Sequence, residues 1–404
     1  MIFYAYFGYP LSLVGILASR RLLSRDGARS SSPQQPNKPN GPDGPNRPNR
    51  PNGPTHPTVS LIITAHNEEK RIKEKIENSL NLEYPRQKLE IIVASDCSSD
   101  RTDEIVKSYS HKGVRLVRSP VRKGKEHAQK LAVAQAKGDI LVFSDVATII
   151  EPDGLRNIVA NFEDSTVGCV SSVDKFINPD GSISGEGAYV KYEMFLRSLE
   201  SRVNTLVGLS GSFFAARREV CQNWAEDLQS DFNTVLNSVK VGLKGVSDPK
   251  TIGYYKNIQD EKKEFHRKVR TVLRGISVLM RSLSLLNPLK YGMFSWQLFS
   301  HKLCRWLVPF FLLLAFFSNA VLVFKGSSIL YRFLLIMQIA FYSAALVYHW
   351  VGSAPAVSKK PTTSPIINLL KIPYYFLTVN ASILVAWIKY LRGERATYWQ
   401  PSER

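Results

Sequence analysis

The chain has 404 residues, more than one compact core usually holds, and its 53 Lys and Arg against 34 Asp and Glu give a formal net charge of +19. This basic balance favours anionic partners: nucleic acid, lipid or phosphorylated ligands. Nucleic acid is disfavoured, because no recognition-helix, zinc or RNA-binding signature is present and long apolar runs place the basic residues beside a membrane. Four cysteines without CxxC spacing indicate free thiols in a reducing compartment.

The amino-terminal part contains an apolar segment and a low-complexity tract. Residues 2–18 are apolar, and four arginines follow within residues 20–29. A cleaved signal peptide carries its positive charge before the apolar run, so this order predicts a transmembrane anchor over residues 1–20 with its basic side in the cytoplasm. Residues 30–57 repeat Pro, Asn and Gly, which cannot bury a core, and we expect a disordered linker there.

From residue 58 to residue 260, apolar strands alternate with helical segments. Strands are predicted at 58–66, 89–95, 114–119 and 139–145, with helices at 68–82, 101–110 and 125–137 between them. This alternation is typical of βαβ units, so we predict an α/β domain with a mixed, mostly parallel sheet. Residues 261–302 are basic and increasingly apolar, and they predict amphipathic helices at the membrane interface.

Polar residues recur where the predicted strands end. His66, Asn67 and Glu68 follow the first strand, Asp96 follows the second, and Asp145 ends the strand at 139–145. Each has an ordinary explanation as a cap or turn residue, and Ser98, Ser99 or Asp100 could cap the helix after Asp96. Together they place three acidic groups along the carboxyl edge of one sheet, where open α/β sheets bind ligands.

Basic residues stand at two further places. Gly124 and Lys125 begin a predicted helix, which suits a diphosphate, although a solvated basic face is the alternative. Arg267, Arg270 and Arg274 follow helical spacing and share one face, where they could bind phosphate oxygens or anionic lipid. Between these groups, Asp231 precedes a short helix, where an N-cap is the plain explanation.

The carboxyl-terminal region, residues 303–404, contains three apolar segments: 306–324, 329–350 and a weaker one at 372–388. If residues 2–18 and these three segments all span the membrane, the 351–371 loop and the carboxyl tail lie on opposite sides of it. Both are basic, and basic segments prefer the cytoplasm. The last segment could lie in the interface or be re-entrant. We expect a multi-pass protein of the cell membrane with its 58–260 domain in the cytoplasm.

Several short motifs occur in one order. They are "NE" (67–68), Asp96, "GK" (124–125), Asp145, "GSFFAARRE" (211–219), "SDF" (230–232) and "RKVRT" (267–271), continued by "SLLNPL" (284–289) and "SHKLCRW" (300–306). This ordered set resembles the family 2 glycosyltransferases, in particular their membrane-bound, cellulose-synthase-like branch. The resemblance covers about residues 58–325.

The resemblance implies a GT-A fold, a nucleotide-diphosphate sugar as donor, Mg²⁺ or Mn²⁺ as cofactor, and inversion by single displacement. A UDP-sugar is the expected donor. By position, the resemblance assigns nucleoside contacts to Glu68 and Asp96, and contacts with the nucleotide or its phosphates to Lys125. It assigns phosphate contacts to Arg267 and Arg270. It places Asp145 near the diphosphate and the metal, and it gives Asp231 the role of catalytic base.

Two departures from the family pattern bear on mechanism. Ala147 stands at the second position of the DxD-like motif and offers no oxygen ligand, and Thr271 replaces the late Trp that stacks on glycan in processive members. From the resemblance and these departures we predict an inverting transferase that acts on a lipid-linked or oligosaccharide acceptor in surface polysaccharide synthesis. Membrane lipid and other polysaccharide-assembly proteins are the further partners that we expect. The alternatives are a processive synthase and a non-catalytic subunit.

Overall fold

The computed structural model describes residues 1–29, 56–177, 188–256, 261–326, 328–352 and 365–396. The predicted linker at 30–57 lies outside these residues except for its last two positions.

One sheet organises the domain. Within the described residues it has eight strands in the order β3-β2-β1-β4-β7-β6-β8-β5. The strands are Val59–Ala65 (β1), Leu89–Ser95 (β2), Val114–Arg118 (β3), Ile140–Asp145 (β4), Ile149–Ile150 (β5), Val167–Ile177 (β6), Phe213–Arg217 (β7) and Lys244–Lys256 (β8).

The α-helices of the described residues are Tyr9–Arg29 (α1), Ile72–Leu80 (α2), Thr102–Ser108 (α3), Lys125–Gln135 (α4), Gly154–Ala160 (α5), Ala188–Val203 (α6), Ser230–Lys240 (α7), Glu261–Arg281 (α8), Pro288–Tyr291 (α9), Met293–Leu298 (α10), Cys304–Phe324 (α11), Ile329–Gly352 (α12) and Pro365–Leu391 (α13). Short π-helical turns precede α1, at Tyr4–Gly8, and α11, at Phe299–Leu303.

The first half of the sheet is parallel, as predicted. Val59 of β1 pairs with Leu89 of β2 on one side and with Ile140 of β4 on the other. Every residue of β1 is buried, since its alternate side chains enter two separate hydrophobic clusters. A strand covered on both faces reads as a continuous apolar run, which is why it was visible in the sequence.

The second half mixes directions. β7 runs antiparallel to both β4 and β6, whereas β6 and β8 are parallel. This arrangement brings the loop before β7 against the end of β4, where the amide of Asp145 donates to the carbonyl of Ser212 at 2.9 Å. The insertion of β7 therefore completes the sheet edge at which the acidic residues stand.

Three helical stretches among the described residues are long and apolar enough to cross a membrane: residues 293–324, 329–350 and 369–391. The segment at 372–388 lies wholly inside α13 and so belongs to the third of them. Trp387 of α13 donates through Nε1 to the carbonyl of Trp306 in α11 at 2.9 Å, which ties the last of these helices to the first.

The amino-terminal segment packs against the rest of the protein through a buried polar cluster. The hydroxyl of Tyr9 donates to Oε1 of Glu200 in α6 at 2.7 Å, and the same oxygen lies 2.7 Å from Nδ1 of His301. Residues 2–18 do not belong to the three stretches that are long and apolar enough to cross a membrane among the described residues. Their role as a membrane anchor stays a prediction.

Candidate active site

The carboxyl ends of β1, β2 and β4 meet at one edge of the sheet, as predicted. Asn67 and Cys97 directly follow two of these ends and have left-handed backbones, with φ of 52° and 53°. The side-chain oxygen of Asn67 accepts the amide N–H of Ser99 at 2.8 Å, which joins the two turns. Strained non-glycine backbones of this kind concentrate at ligand-binding sites.

Asp96 positions the loop that begins α4. Its side chain is 0 % exposed. Its two oxygens accept the amide N–H groups of Lys123 at 3.0 Å and of Gly124 at 2.9 Å. Because both oxygens are engaged, Asp96 fixes the start of the helix that carries Lys125, and its nucleoside contact stays a prediction.

Glu68 is buried at the same edge. Its carboxylate pairs with Arg71 at 2.8 Å, while its amide donates to Oγ1 of Thr102 at 2.8 Å. Burial raises the pKa of Glu68, Arg71 opposes that rise, and the nearby negative charge of Asp145 adds to it. The structure therefore places Glu68 within electrostatic reach of Asp145.

Lys125 connects the sheet edge to the loop before β7. Its ammonium forms an ion pair with Asp145 and donates to the carbonyl of Gly211 at 3.0 Å. The Asp145 side chain stays about one-quarter exposed, at 25 %. The structure thus brings together two residues that the sequence placed at separate strand and helix ends.

Asp231 lies on the other side of the same loop, in the first turn of α7. Oδ2 accepts from Nε2 of Gln229 at 3.1 Å, and a Cβ added to Gly211 would lie 2.9 Å from this oxygen. Burial raises the pKa of Asp231, and the charges of Lys125 and Arg274 oppose that rise. A carboxylate with a raised pKa is a stronger base near neutral pH, which suits proton removal.

The three arginines of α8 have different partners. Arg267 pairs with Glu264 at 2.7 Å, and Arg274 pairs with the buried Glu126 of α4. Arg270 is half-buried, and among the described residues its guanidinium makes no hydrogen bond or ion pair. Burial lowers the pKa of Arg270, and the charges of Arg274 and Arg267 lower it further, so an incoming phosphate would relieve this repulsion.

A divalent ion fits this edge only together with a ligand. The described residues contain no group of three or more His, Cys, Asp and Glu side chains that could hold a metal. Asp145 offers one carboxylate, whereas Ala147 offers none. Mg²⁺ is commonly bound by one or two carboxylates, water and substrate phosphates, so Asp145 suits a metal that arrives with a diphosphate.

Lys75 is a site residue that the sequence reasoning missed. It is 0 % exposed, and its ammonium donates to Oγ of Ser144 at 2.7 Å and to the carbonyl of Thr148 at 2.6 Å. Through these two hydrogen bonds Lys75 stabilises the turn that contains Asp145. The available signal was its place on α2 between Ile72 and Ile76, on the face that those apolar residues bury.

Residues 60–224 match the family model described as "Glycosyl transferase family 2". The poly-beta-1,6-N-acetyl-D-glucosamine synthase of Staphylococcus epidermidis is 25 % identical over 178 residues, which are 42 % of each chain. The beta-monoglucosyldiacylglycerol synthase of Trichormus variabilis is 26 % identical over 182 residues, which are 43 % of this chain and 39 % of that protein. The chain thus aligns with less than half the length of either relative.

A solved structure shows a similar fold over nearly the whole chain. It is the mannosyltransferase PcManGT from Pyrobaculum calidifontis in complex with GDP-Man and Mn²⁺, and the similarity covers 98 % of both chains. The TM-score is 0.64 at 21 % sequence identity. At this identity the likeness concerns the fold.

Proposed function

We propose that the protein is a membrane-bound inverting glycosyltransferase, because residues 60–224 match the family model described as "Glycosyl transferase family 2". It transfers a sugar from a nucleotide-diphosphate sugar to a lipid-linked or oligosaccharide acceptor at the cytoplasmic face of the cell membrane. The convergence of Asp145, Lys125 and Asp231 around Gly211 carries this proposal. The three apolar stretches in the carboxyl-terminal region support membrane attachment.

The donor diphosphate would lie between the start of α4 and α8. Lys125 and Arg270 supply positive charge there, and Arg270 makes no ion pair with the described residues. PcManGT, which has a similar fold, holds GDP-Man and Mn²⁺. When bound at Asp145, a divalent ion would neutralise charge on the diphosphate. A UDP-sugar is the donor we expect.

Asp231 would act as the general base. It removes the proton from the acceptor hydroxyl while that oxygen bonds to the anomeric carbon of the donor. The bond from the anomeric carbon to the diphosphate breaks in the same step, which inverts the configuration. Lys125 and Arg270 stabilise the negative charge that develops on the departing diphosphate.

A processive synthase is the second candidate, because one relative is named a polysaccharide synthase. Thr271 weighs against it. The side chain is exposed, and its hydroxyl donates to the carbonyl of Arg267 at 2.9 Å. A threonine offers no flat face on which a sugar could stack.

Replacing Asp231 with asparagine tests the proposal. We expect transfer to fall at least about 100-fold, because general-base catalysis contributes about 10²–10⁴-fold, while nucleotide-sugar binding persists. The matched control is Asp227→Asn, four positions earlier, where the carboxylate pairs with Arg281. Both variants are assayed for transfer and, separately, for donor-induced thermal stabilisation.

Near wild-type transfer by Asp231→Asn would show that this carboxylate is not the base. Loss of donor binding together with transfer would instead make Asp231 a donor contact. If the wild-type protein neither binds nor hydrolyses any nucleotide sugar, the non-catalytic alternative replaces the proposal.

A further inference from the structure

Lys302 is a lysine without an anionic partner close to the catalytic base. It lies in the π-helical turn Phe299–Leu303, inside the first candidate span and directly before α11. Its ammonium stands 5.3 Å from the ring centroid of Phe232, the residue that follows Asp231. Among the described residues it makes no hydrogen bond or ion pair. Its side chain is half-buried, and a cation in this position without an anionic partner can accept an incoming anion.

Arg197 of α6 is a second cation in the same place. Its Nη2 makes a long hydrogen bond to the carbonyl of Leu209 at 3.4 Å, and its Nη1 is buried without a hydrogen bond. Arg197 lies within electrostatic range of Lys302. The loop before β7 lies against this pair, since a Cβ added at Gly208 would lie 3.4 Å from the Lys302 ammonium.

Two acidic groups near this pair have other partners, although Oε2 of Glu200 makes no hydrogen bond with the described residues. Glu193 pairs with Arg305 and with His301, and one oxygen of Glu200 takes both Tyr9 and His301. The charged groups with the largest effect on Lys302 are the carboxylates of Glu193 and Glu200 and the guanidinium groups of Arg197 and Arg305. The local balance remains positive.

This cation pair is separate from the donor side of the site. The charged groups that act on Asp231 include Lys125, Arg274 and Glu126, whereas those that act on Lys302 are Glu193, Arg197, Glu200 and Arg305. The Asp231–Phe232 segment thus has Lys125 and Arg274 near its first residue and Lys302 near its second.

We propose that Arg197 and Lys302 bind a phosphate group of the acceptor lipid. The inference rests on the proposed function and names its acceptor class. A lipid lying along the first candidate span would bring its phosphate to this pair. A sugar attached beyond that phosphate would then lie beside Phe232, next to the proposed base Asp231.

The test uses the full chain in nanodiscs of phosphatidylcholine and measures lipid binding in the absence of donor. The probes are a polyprenyl diphosphate and the uncharged polyprenol of equal chain length. We expect the wild-type protein to prefer the diphosphate lipid roughly tenfold or more, because charged hydrogen bonds are the strong ones. Lys302→Gln and Arg197→Gln should each lose most of this preference, and Lys302→Arg should retain it.

Lys290→Gln is the matched control, since Lys290 is an exposed lysine close to the same candidate span. It should keep the preference. The inference is overturned if both glutamine variants keep it, or if Lys290→Gln loses as much. Full competition by phosphatidylglycerol would identify a general lipid headgroup site instead. The proposed function has its own readout in Asp231-dependent transfer, so either idea can fail while the other stands.

Discussion

Lys75→Met should separate stability from catalysis. Burial lowers the pKa of Lys75 to about 7, although the charge of Asp145 opposes this effect. Methionine keeps the length of the side chain and removes the ammonium that holds Ser144 and Thr148. The turn that carries Asp145 then loses its support from beneath, and we expect donor binding to weaken about tenfold, the cost of one hydrogen bond to a charged group.

The cost of the buried charge can be estimated from the pKa. A fall from 10.5 to about 7 costs the folded state about 4 kcal/mol at pH 7. Methionine removes this cost but gives up two hydrogen bonds, worth about 1–3 kcal/mol each when a buried partner is left unsatisfied. The two effects nearly cancel, so the free energy of unfolding at pH 7 should change by less than about 2 kcal/mol.

The pH dependence has a definite sign. The penalty is present in full below the folded-state pKa of about 7 and disappears as the pH rises toward the unfolded value of 10.5. From pH 6 to pH 9 the wild-type protein should gain about 2.5 kcal/mol relative to Lys75→Met. In apparent melting temperature this is about 3 °C if the whole chain unfolds as one unit, and about 6 °C if the 58–260 domain unfolds alone.

Thermal melts in detergent at several pH values, with nucleotide-sugar binding measured in parallel, provide the assay. Lys73→Met is the control, because Lys73 is exposed on the same helix. A difference in melting temperature that stays constant from pH 6 to pH 9 would refute the argument for a buried titrating lysine. Unchanged donor binding would refute its role beneath Asp145.

Three further outcomes are expected. Gly211→Ala should lower kcat at least about tenfold with little change in melting temperature, because the added Cβ would lie 2.9 Å from Oδ2 of Asp231 and must displace that carboxylate; a kcat equal to that of the wild type would contradict this. Deletion of residues 32–54 should leave activity in detergent intact, since a Pro/Asn/Gly tract forms no packed element; a large loss would mean that the tract docks on the domain. With excess donor and a short lipid-linked acceptor, products should climb evenly by single sugars, and long polymer beside unused acceptor would indicate processivity.

The parallel half of the sheet was predictable because its strands are buried on both faces. Continuous apolar runs at β1, β2 and β4 located the strands, and the polar residues after them located the site edge. The position of β7 between β4 and β6 was not predictable, because the sequence of a five-residue strand does not indicate which strands it pairs with. The spacing of residues along the chain likewise does not predict that Asp231 approaches Gly211. The family resemblance gave Asp231 the role of catalytic base but no position relative to Gly211.

Two electrostatic features were within reach of the sequence but were missed. Glu264 stands three residues before Arg267, a spacing that favours an ion pair on a helix. Arg267 was therefore a weaker candidate for free phosphate binding than Arg270. Lys75 lies on the buried face of α2, where a lysine must find polar partners, yet only the fold shows that these belong to the turn at Asp145.

The buried carboxylate of Glu200 has a consequence for the synthesis of the protein. Its partners, Tyr9 and His301, lie 191 residues before it and 101 residues after it. The sheet domain is synthesised before His301, so Glu200 in α6 gains this partner only after the first part of the first candidate span has been made. The contacts around Glu200 are therefore completed only once residues of the first candidate span are present. A fragment cut before residue 299 would leave this pocket without its histidine.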